Sequence, residues 1–323
     1  MITFATMMRL FHTNSSKTQN YLMKNKKYKG VVVPMVTPVT EHGDIDTLAV
    51  GRIIEFLAQN DVAPLLLGTT GEGNSVSRND GLLLVKEVVK AAKRRIKVYA
   101  GLTGNCFAEQ IDQAEAYTKA GADVIVATLP TYYALTPTQM YQYYCALADA
   151  ITSPLMLYNI KATTHMSIPI DMIGLMIDHP NIVGLKDSER DLMRMKEIIS
   201  FTRDREDFSF FCGCAALSAE TLALGADGIV PSGGNFIPHL YAQLYQAAVN
   251  GETEKAAHLQ QVTADICSVY QKDRTLGESL AALKVMMQTR GLCEPWMLMP
   301  LSRLSKEEEE IIAQKAKTLT SAQ

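Results

Sequence analysis

The residue most capable of covalent chemistry follows a short apolar stretch. Lys186 comes directly after the run at residues 182–185, and polar residues follow it at once. If this run is a buried parallel strand, Lys186 lies at its carboxyl end, where such folds carry their catalytic groups. Burial disfavours the ammonium form of a lysine, and a free amine is a nucleophile toward a carbonyl carbon. A solvated lysine that merely ends a strand is the common alternative, so the rest of the chain must decide.

Tyrosines and threonines also stand where apolar runs end. Tyr158 ends one such run, Tyr133 follows another, and Thr69 and Thr70 lie in the sequence Gly-Thr-Thr-Gly-Glu-Gly after a third. A phenol near a cation has a lowered pKa and can carry protons, and paired hydroxyls beside free N–H groups suit a carboxylate or phosphate. Taken singly, each tyrosine is more typical of packing and the glycine-rich stretch of a tight turn. Together with Lys186 they form the set that Schiff-base carbonyl chemistry requires.

Apolar runs and helical segments alternate from Gly30 onward. Eight runs have the character of buried strands, at residues 31–36, 64–67, 96–101, 123–127, 154–158, 182–185, 208–212 and 228–230. The tripeptide Gly-Ala-Asp recurs at 121–123 and 225–227, which indicates a repeated unit. Eight such units predict an α/β fold, a TIM (β/α)8 barrel with a C-terminal helical extension. An open doubly wound sheet is the alternative and would need fewer strands.

The chain is predicted to have three parts. Residues 1–27 contain no acidic residue and no clear periodicity, and we expect a poorly ordered N-terminal extension; a transit peptide is the alternative, although Arg9 is its only arginine. Residues 28–250 form the barrel with the catalytic site. Residues 251–323 form a C-terminal helical region, with helices expected at 252–271, 276–289 and 306–318.

Composition excludes several classes of protein. The chain has 323 residues, 47% of them hydrophobic, and a formal net charge of −3, which favours neither nucleic acid nor a membrane surface as a partner. Six cysteines are scattered through a chain too long to need disulfides, so we expect reduced thiols and a cytoplasmic protein. Cys212 and Cys214 lack a second Cys or His pair at ligand spacing, so zinc is not expected.

Several motifs together resemble one enzyme family. They are the dipeptides Thr37-Pro38, Tyr132-Tyr133 and Tyr158-Asn159, with Gly-Thr-Thr-Gly-Glu at 68–72 and Gly-Leu-Lys-Asp-Ser at 184–188. Their order and spacing resemble the dihydrodipicolinate synthase / N-acetylneuraminate lyase family of class I, pyruvate-dependent aldolases. The resemblance covers about residues 28–320, and its strength lies in the combination of motifs.

The resemblance implies roles for individual residues. Lys186 corresponds to the lysine that forms an imine with the ketone of pyruvate or another 2-oxo acid, and Tyr158 to the phenol that shuttles protons. Thr69 and Thr70 correspond to the hydroxyls that hold the 2-oxo carboxylate. Val230 corresponds to a position whose backbone carbonyl faces the site. Neither a metal nor an organic cofactor is implied, because the imine itself serves as the electron sink.

The resemblance also implies partners. Tyr133 corresponds to a tyrosine that reaches into the site of a neighbouring subunit, so a homodimer or homotetramer is expected. The small-molecule partners are a 2-oxo acid and an aldehyde.

The chain departs from the family pattern around the far end of the substrate. Dihydrodipicolinate synthases carry an arginine for the second carboxylate where this chain has Thr163, which has no guanidinium group; Lys161 offers a cation at a different point of the loop. His165 stands where many relatives have glycine and is expected to contact the substrate, with a purely structural role as the equal alternative. After Gly213, small apolar residues replace the acidic pair with which sialic acid lyases hold sugar hydroxyls.

The sequence therefore predicts a Schiff-base-forming lyase or aldolase that acts on pyruvate or another 2-oxo acid, with Lys186 as its nucleophile. One alternative is 4-hydroxy-tetrahydrodipicolinate (dihydrodipicolinate) synthase, which condenses pyruvate with aspartate semialdehyde. Two alternatives of other kinds are a non-catalytic regulatory barrel that binds a 2-oxo acid and a barrel that binds phosphate at its glycine-rich loop after the eighth strand.

Overall fold

The computed structural model describes residues 26–321; the prediction of an N-terminal extension falls, for residues 1–25, outside this range. Eight strands form one closed barrel in chain order, and every neighbouring pair is parallel. They are β1 (Gly30–Pro34), β2 (Ala63–Leu66), β3 (Tyr99–Gly101), β4 (Val124–Thr128), β5 (Leu155–Asn159), β6 (Ile182–Asp187), β7 (Ser209–Cys212) and β8 (Gly228–Ile229). The predicted TIM barrel is confirmed.

Helices surround the barrel and extend past it. Those between or after strands are α1 (Thr47–Ala58), α2 (Arg78–Ala92), α3 (Phe107–Ala120), α4 (Pro137–Ala150), α5 (Lys161–Thr164), α6 (Ile170–Met176), α7 (Leu192–Thr202), α8 (Ser218–Leu224) and α9 (Pro238–Val249). The C-terminal region contains α10 (Thr253–Gln271), α11 (Leu276–Gln288) and α12 (Lys306–Ser321). The boundary predicted at residue 250 lies in the turn between α9 and α10. None of the helices within residues 26–321 combines the length and apolar character needed to cross a bilayer.

Alternation along the strands creates two separate apolar layers. Val124 and Val126 of β4 point into the barrel, where they join an inner cluster with Tyr158, whereas Ile125 and Ala127 join the outer layer that packs on the helices. Because successive strand side chains point to opposite faces, strands that are apolar at every position bury both faces. The inner layer fills the interior of the barrel with largely apolar side chains.

A buried lysine fastens the amino end of the described chain to the bottom of the barrel. Lys26 Nζ donates hydrogen bonds to Asp227 Oδ2 at 2.8 Å and to the carbonyl oxygens of Thr202 and Phe208 at 3.2 and 2.9 Å. The side chains of Lys26 and Asp227 are only 3% and 11% exposed. Asp227 Oδ2 also accepts a 2.8 Å bond from Phe210 N, so this pair joins the chain before β1 to β7 and to the turn before β8.

Replacing Lys26 by alanine is expected to destabilise the fold by about 3 kcal/mol or more, because it leaves the Asp227 carboxylate buried without its cation. The adjacent Lys27, which is exposed and lies 5.3 Å from the centroid of the Tyr28 ring, provides a matched control whose loss should cost at most about 1 kcal/mol. Urea denaturation of Lys26→Ala and Lys27→Ala measures both free energies of unfolding. Equal losses in the two variants would contradict the assignment.

Candidate active site

The pairing of β5 with β6 places an amine against a phenol. In the parallel register Tyr158 lies opposite Lys186. Both residues are buried, at 5% and 3% exposure, and Lys186 Nζ lies 3.7 Å from the centroid of the Tyr158 ring. A cation over an aromatic face is attracted to the ring, and a desolvated setting strengthens that attraction. The structure thus brings together the two residues that the sequence predicted to carry the chemistry.

The Tyr158 phenol is tuned by its neighbours. Burial alone would raise its pKa, but the positive charge of Lys186 and hydrogen bonds with Thr69, Lys186 and Ser188 outweigh that effect. The pKa of Tyr158 therefore lies below its ordinary value. A phenol so placed exchanges a proton with the adjacent amine more readily than an isolated tyrosine does.

The residues beside this pair form a polar network on the outer face of the same two strands. Asn159 lies opposite Asp187 in the register, and its Nδ2 donates to Asp187 Oδ2 at 3.0 Å and to Glu189 Oε1 at 2.8 Å. Arg194 Nε donates to Asp187 Oδ2 at 2.9 Å. Burial raises the pKa of Asp187, although the charge of Arg194 opposes that shift. The network joins the ends of β5 and β6 and fixes the register that holds Tyr158 against Lys186.

The same network anchors the loop that follows β5. Ile168 N donates to Asn159 Oδ1 at 3.0 Å, Arg194 Nη2 donates to the carbonyl of Ile168 at 2.7 Å, and the Ser167 hydroxyl donates to Glu189 Oε1. Thr163, the residue at the arginine position, therefore belongs to a loop held at both its start and its end. Its place relative to the Tyr158 phenol is fixed by the barrel.

The loop after β2 brings the predicted threonines to the phenol. Thr69 is hydrogen-bonded to Tyr158, and Thr70 beside it is buried. Thr37 Oγ1 donates to the carbonyl of Gly71 at 2.5 Å, and a Cβ on Gly71 would come within 2.8 Å of the Met35 carbonyl oxygen. Glycine at position 71 therefore allows this loop to pack closely on the end of β1.

A fully buried ion pair ties this loop to the C-terminal region. Lys284 Nζ donates to Glu72 Oε1 at 2.5 Å and to the carbonyl of Trp296 at 2.7 Å, and Leu298 N donates to Glu72 Oε2 at 2.8 Å. Both charged side chains are 0% exposed. Since a buried carboxylate needs such partners, Glu72 fixes where α11 and the segment after it lie above the barrel.

A cavity of about 480 Å³ opens above the Tyr158 phenol. Its walls come from the ends of β2 to β5 and from the C-terminal region. The residues that line it are Leu65, Leu67, Gly68, Thr69, Glu72, Gly73, Asn74, Ser75, Gly101, Leu102, Thr103, Val126, Thr128, Thr131, Tyr158, Thr163, Thr164, Leu276, Gly277, Leu280, Pro300 and Leu301. The cavity thus joins the predicted site to a far wall built by α11 and the segment that follows it.

Four other residues that the sequence predicted for the site do not line the cavity. Val230 packs in the inner barrel cluster with Tyr158. A Cβ on Gly213 would lie 2.1 Å from Ser188 Oγ, so the absence of a side chain there makes room for Ser188. His165 is exposed, with a backbone φ of 58°, and does not line the cavity. Tyr133 is 71% exposed and packs edge-on against Tyr132, with ring centroids 4.9 Å apart.

The sequence did not identify Ser188 or the leucines of the cavity wall as parts of the site. Ser188 stands two residues after Lys186, and its contact with the phenol depends on how the chain turns at the end of β6. Leu276, Leu280 and Leu301 line the far half of the cavity, and no local sequence pattern distinguishes them from other leucines of the chain. Within residues 26–321, no three or more His, Cys, Asp or Glu side chains are grouped as ligands for a metal ion.

An amine and a phenol at the catalytic end of a (β/α)8 barrel define a class, the barrel enzymes that work through a lysine imine. Comparison with known proteins agrees. Residues 27–319 match the dihydrodipicolinate synthetase family. The chain is 31% identical to the 4-hydroxy-tetrahydrodipicolinate synthase of a Sulfurihydrogenibium species, over 88% of this chain and 95% of the relative. It is 30% identical to the enzyme of that name from Laribacter hongkongensis, over 85% and 93%.

Solved structures give the same result. The dihydrodipicolinate synthase of Bacteroides thetaiotaomicron superposes with a TM-score of 0.86 at 29% identity, over 91% of this chain and 99% of that one. YagE, an E. coli prophage protein of the dihydrodipicolinic acid synthase family solved in complex with pyruvate, gives 0.85 at 26% identity over the same shares. The chain therefore belongs to the dihydrodipicolinate synthetase family. This membership confirms the predicted class of activity, a carbon–carbon lyase or aldolase of the lysine-imine type.

Removing the Ser188 hydroxyl is expected to raise the pKa of Tyr158, because that hydrogen bond is one of the causes that lower it. Ultraviolet titration of the protein against its Tyr158→Phe variant isolates this phenol from the other tyrosines. The difference between Ser188→Ala and the double variant Ser188→Ala/Tyr158→Phe should show the Tyr158 phenol ionising at higher pH. Ser200→Ala, whose hydroxyl bonds the Glu197 carbonyl on the exposed side of α7, should leave the value in place. An unchanged titration in Ser188→Ala would contradict the contact.

Proposed function

We propose that this protein makes or cleaves a carbon–carbon bond next to the ketone of pyruvate or a related 2-oxo acid, with Lys186 as the nucleophile. The observation that carries the proposal is the position of the Lys186 amine, 3.7 Å from the centre of the Tyr158 ring. Thr69 and Ser188 surround the same phenol. Pyruvate is the first candidate, since it is the ligand of the similar YagE structure.

The proposed reaction balances without a cofactor. The Lys186 amine adds to the ketone carbon, and loss of water gives the imine. Loss of a proton from the methyl group gives an enamine, whose carbon attacks the aldehyde carbon of the second substrate. The aldehyde oxygen takes up a proton, and water then hydrolyses the imine to release a 4-hydroxy-2-oxo acid and the free lysine. Cleavage is the same sequence in reverse.

Tyr158 and the threonines have separate roles in this scheme. The Tyr158 phenol carries protons between the amine, the substrate carbon and the aldehyde oxygen, a task that its lowered pKa favours. Thr69 and Thr70 hold the 2-oxo carboxylate through hydroxyl and backbone N–H groups. Because Thr69 also bonds the phenol, carboxylate binding and proton transfer are set by the same side chain.

Tyr133 is proposed to complete the site of a neighbouring subunit in a homodimer or homotetramer. Tyr132 and Tyr133 are 80% and 71% exposed in one chain, and Phe107, at 37% exposure, lies 6.0 Å from the Tyr143 ring. Exposed aromatic rings of this kind are typical of interface centres. A second chain that covers them would bury their rings while bringing the Tyr133 phenol to its partner.

We further propose that the enzyme works in the cytoplasm. All six cysteines are free, and four of them are buried. Burial raises the pKa of Cys212 and of Cys293 to about 12, so these thiols are unreactive at neutral pH. Unpaired cysteines are the usual state of proteins kept in a reducing compartment.

Incubation with pyruvate and borohydride, followed by intact-mass spectrometry and peptide mapping, tests the proposal. A single reduced adduct on Lys186 is expected, because this amine is the one proposed to form an imine with pyruvate and borohydride reduces that imine to a stable amine. Lys186→Ala should remain folded and give no adduct. Lys161→Ala, which removes an exposed lysine of the loop after β5, should be labelled like the wild type.

An adduct that persists in Lys186→Ala would overturn the assignment of the nucleophile. Folded wild-type protein that gives no adduct with pyruvate or with longer 2-oxo acids would instead favour a barrel that binds without turnover.

A further inference from the structure

The far half of the cavity shows which kind of second substrate it suits. It runs from the Tyr158 phenol to a wall formed by Leu276, Leu280 and Leu301. Among the described residues that line it, none is lysine, arginine or histidine. Its one carboxylate, Glu72, is already matched by Lys284 and by the Leu298 N–H. A second carboxylate bound here would meet no positively charged side chain among the described residues of the cavity wall.

Four hydroxyl groups of the cavity wall, those of Thr103, Thr131, Thr163 and Thr164, are directed at protein acceptors. The Thr103 hydroxyl is directed at Gln113 Oε1 at 3.4 Å and the Thr131 hydroxyl at Asn105 Oδ1 at 3.3 Å. Closer to the phenol, Thr163 Oγ1 is turned toward the carbonyl of Ile160 at 3.5 Å.

Thr164 Oγ1 bonds the carbonyls of Ile160 and Met166, at 3.0 Å each. Since each hydroxyl has one proton, these four groups present lone pairs to the cavity. A carboxylate only accepts hydrogen bonds, so it would lie unpaired beside them.

The amino end of α11 borders the cavity but does not supply an anion site. Thr275 and Glu278 form a capping box, in which the Glu278 carboxylate accepts bonds from Thr275 N at 2.8 Å and Thr275 Oγ1 at 2.7 Å. This carboxylate already offsets the positive end of the helix dipole. Leu301 covers the first turn as well, because a Cβ on Gly277 would lie 2.8 Å from Leu301 Cδ2.

We infer that the second substrate is an uncharged aldehyde with an apolar chain or ring, so that the product is a 4-hydroxy-2-oxo acid with an apolar substituent. This inference rests on the proposed lysine-imine function and adds the class of the aldehyde to it. The aldehyde carbon meets the enamine above Tyr158, and the apolar part lies on Leu276, Leu280 and Leu301.

A comparison of aldehydes at saturating pyruvate tests this inference. Butanal and benzaldehyde represent the proposed class, aspartate semialdehyde carries the second carboxylate, and glyceraldehyde is a small polyol. Consumption of pyruvate gives kcat/KM for each aldehyde. We expect butanal or benzaldehyde to exceed both others by about tenfold or more, the scale at which an apolar pocket and an unpaired polar group discriminate. A higher value for aspartate semialdehyde or glyceraldehyde would overturn the inference.

Borohydride trapping with pyruvate alone separates the two proposals. A Lys186 adduct together with no turnover of any apolar aldehyde overturns the substrate class and leaves the lysine-imine function standing. Absence of an adduct with pyruvate and with longer 2-oxo acids overturns the function, and the substrate class with it.

Two variants and a matched control test whether residues of the cavity wall determine the preference among aldehydes. Thr163→Arg adds a guanidinium for the second carboxylate and should shift the ratio of kcat/KM values toward aspartate semialdehyde by about tenfold. Leu276→Ser, at a residue 52% exposed on the rim, should lower the ratio for butanal over glyceraldehyde several-fold. Leu175→Ser changes a similarly exposed leucine (58%) on α6, away from the cavity, and should not alter that ratio. Equal ratios in Leu276→Ser and Leu175→Ser would contradict the proposed apolar wall.

Discussion

The parallel register between β5 and β6 is the constraint on which the site depends. It places Tyr158 opposite Lys186 inside the barrel and Asn159 opposite Asp187 outside it. The inner pair is the one proposed to carry the chemistry, and the outer pair belongs to a hydrogen-bonded network that prevents the strands from slipping. A shift of one residue would move each side chain to the opposite face. The outer polar network and the inner position of the amine therefore depend on the same register.

The site has two halves with different origins. Strand ends build the half that holds the amine, the phenol and the threonines, whereas α11 and the segment that follows it build the far wall. The buried pair of Glu72 and Lys284 joins the halves, because Glu72 follows the threonine loop directly and Lys284 belongs to α11. In the proposed function, the strand ends supply the chemistry and the far wall sets the second substrate. Such a division is common in barrels, where loops and additions vary around a constant framework.

The barrel was predictable because buried parallel strands are apolar on both faces and each has a clear helix after it. The third strand is shorter than the predicted run at 96–101, since Val98 leads into the sheet and pairing begins at Tyr99. The short helix α5 was not predicted, because four residues are too few for a helical period. The far wall was not predicted for another reason: Leu276 and Thr163 come to line one cavity only after the chain has closed the barrel, and no local pattern encodes that arrangement.

The most direct test of this account is a crystal structure of the protein after reduction with borohydride in the presence of pyruvate. The account predicts continuous density from Lys186 Nζ to the substrate, with its carboxylate on the hydroxyl and N–H groups of Thr69 and Thr70 and its methyl-derived carbon facing the cavity. Density on another lysine would contradict the assignment of Lys186 as the nucleophile. A carboxylate turned toward the leucine wall would contradict the proposed orientation of the substrate.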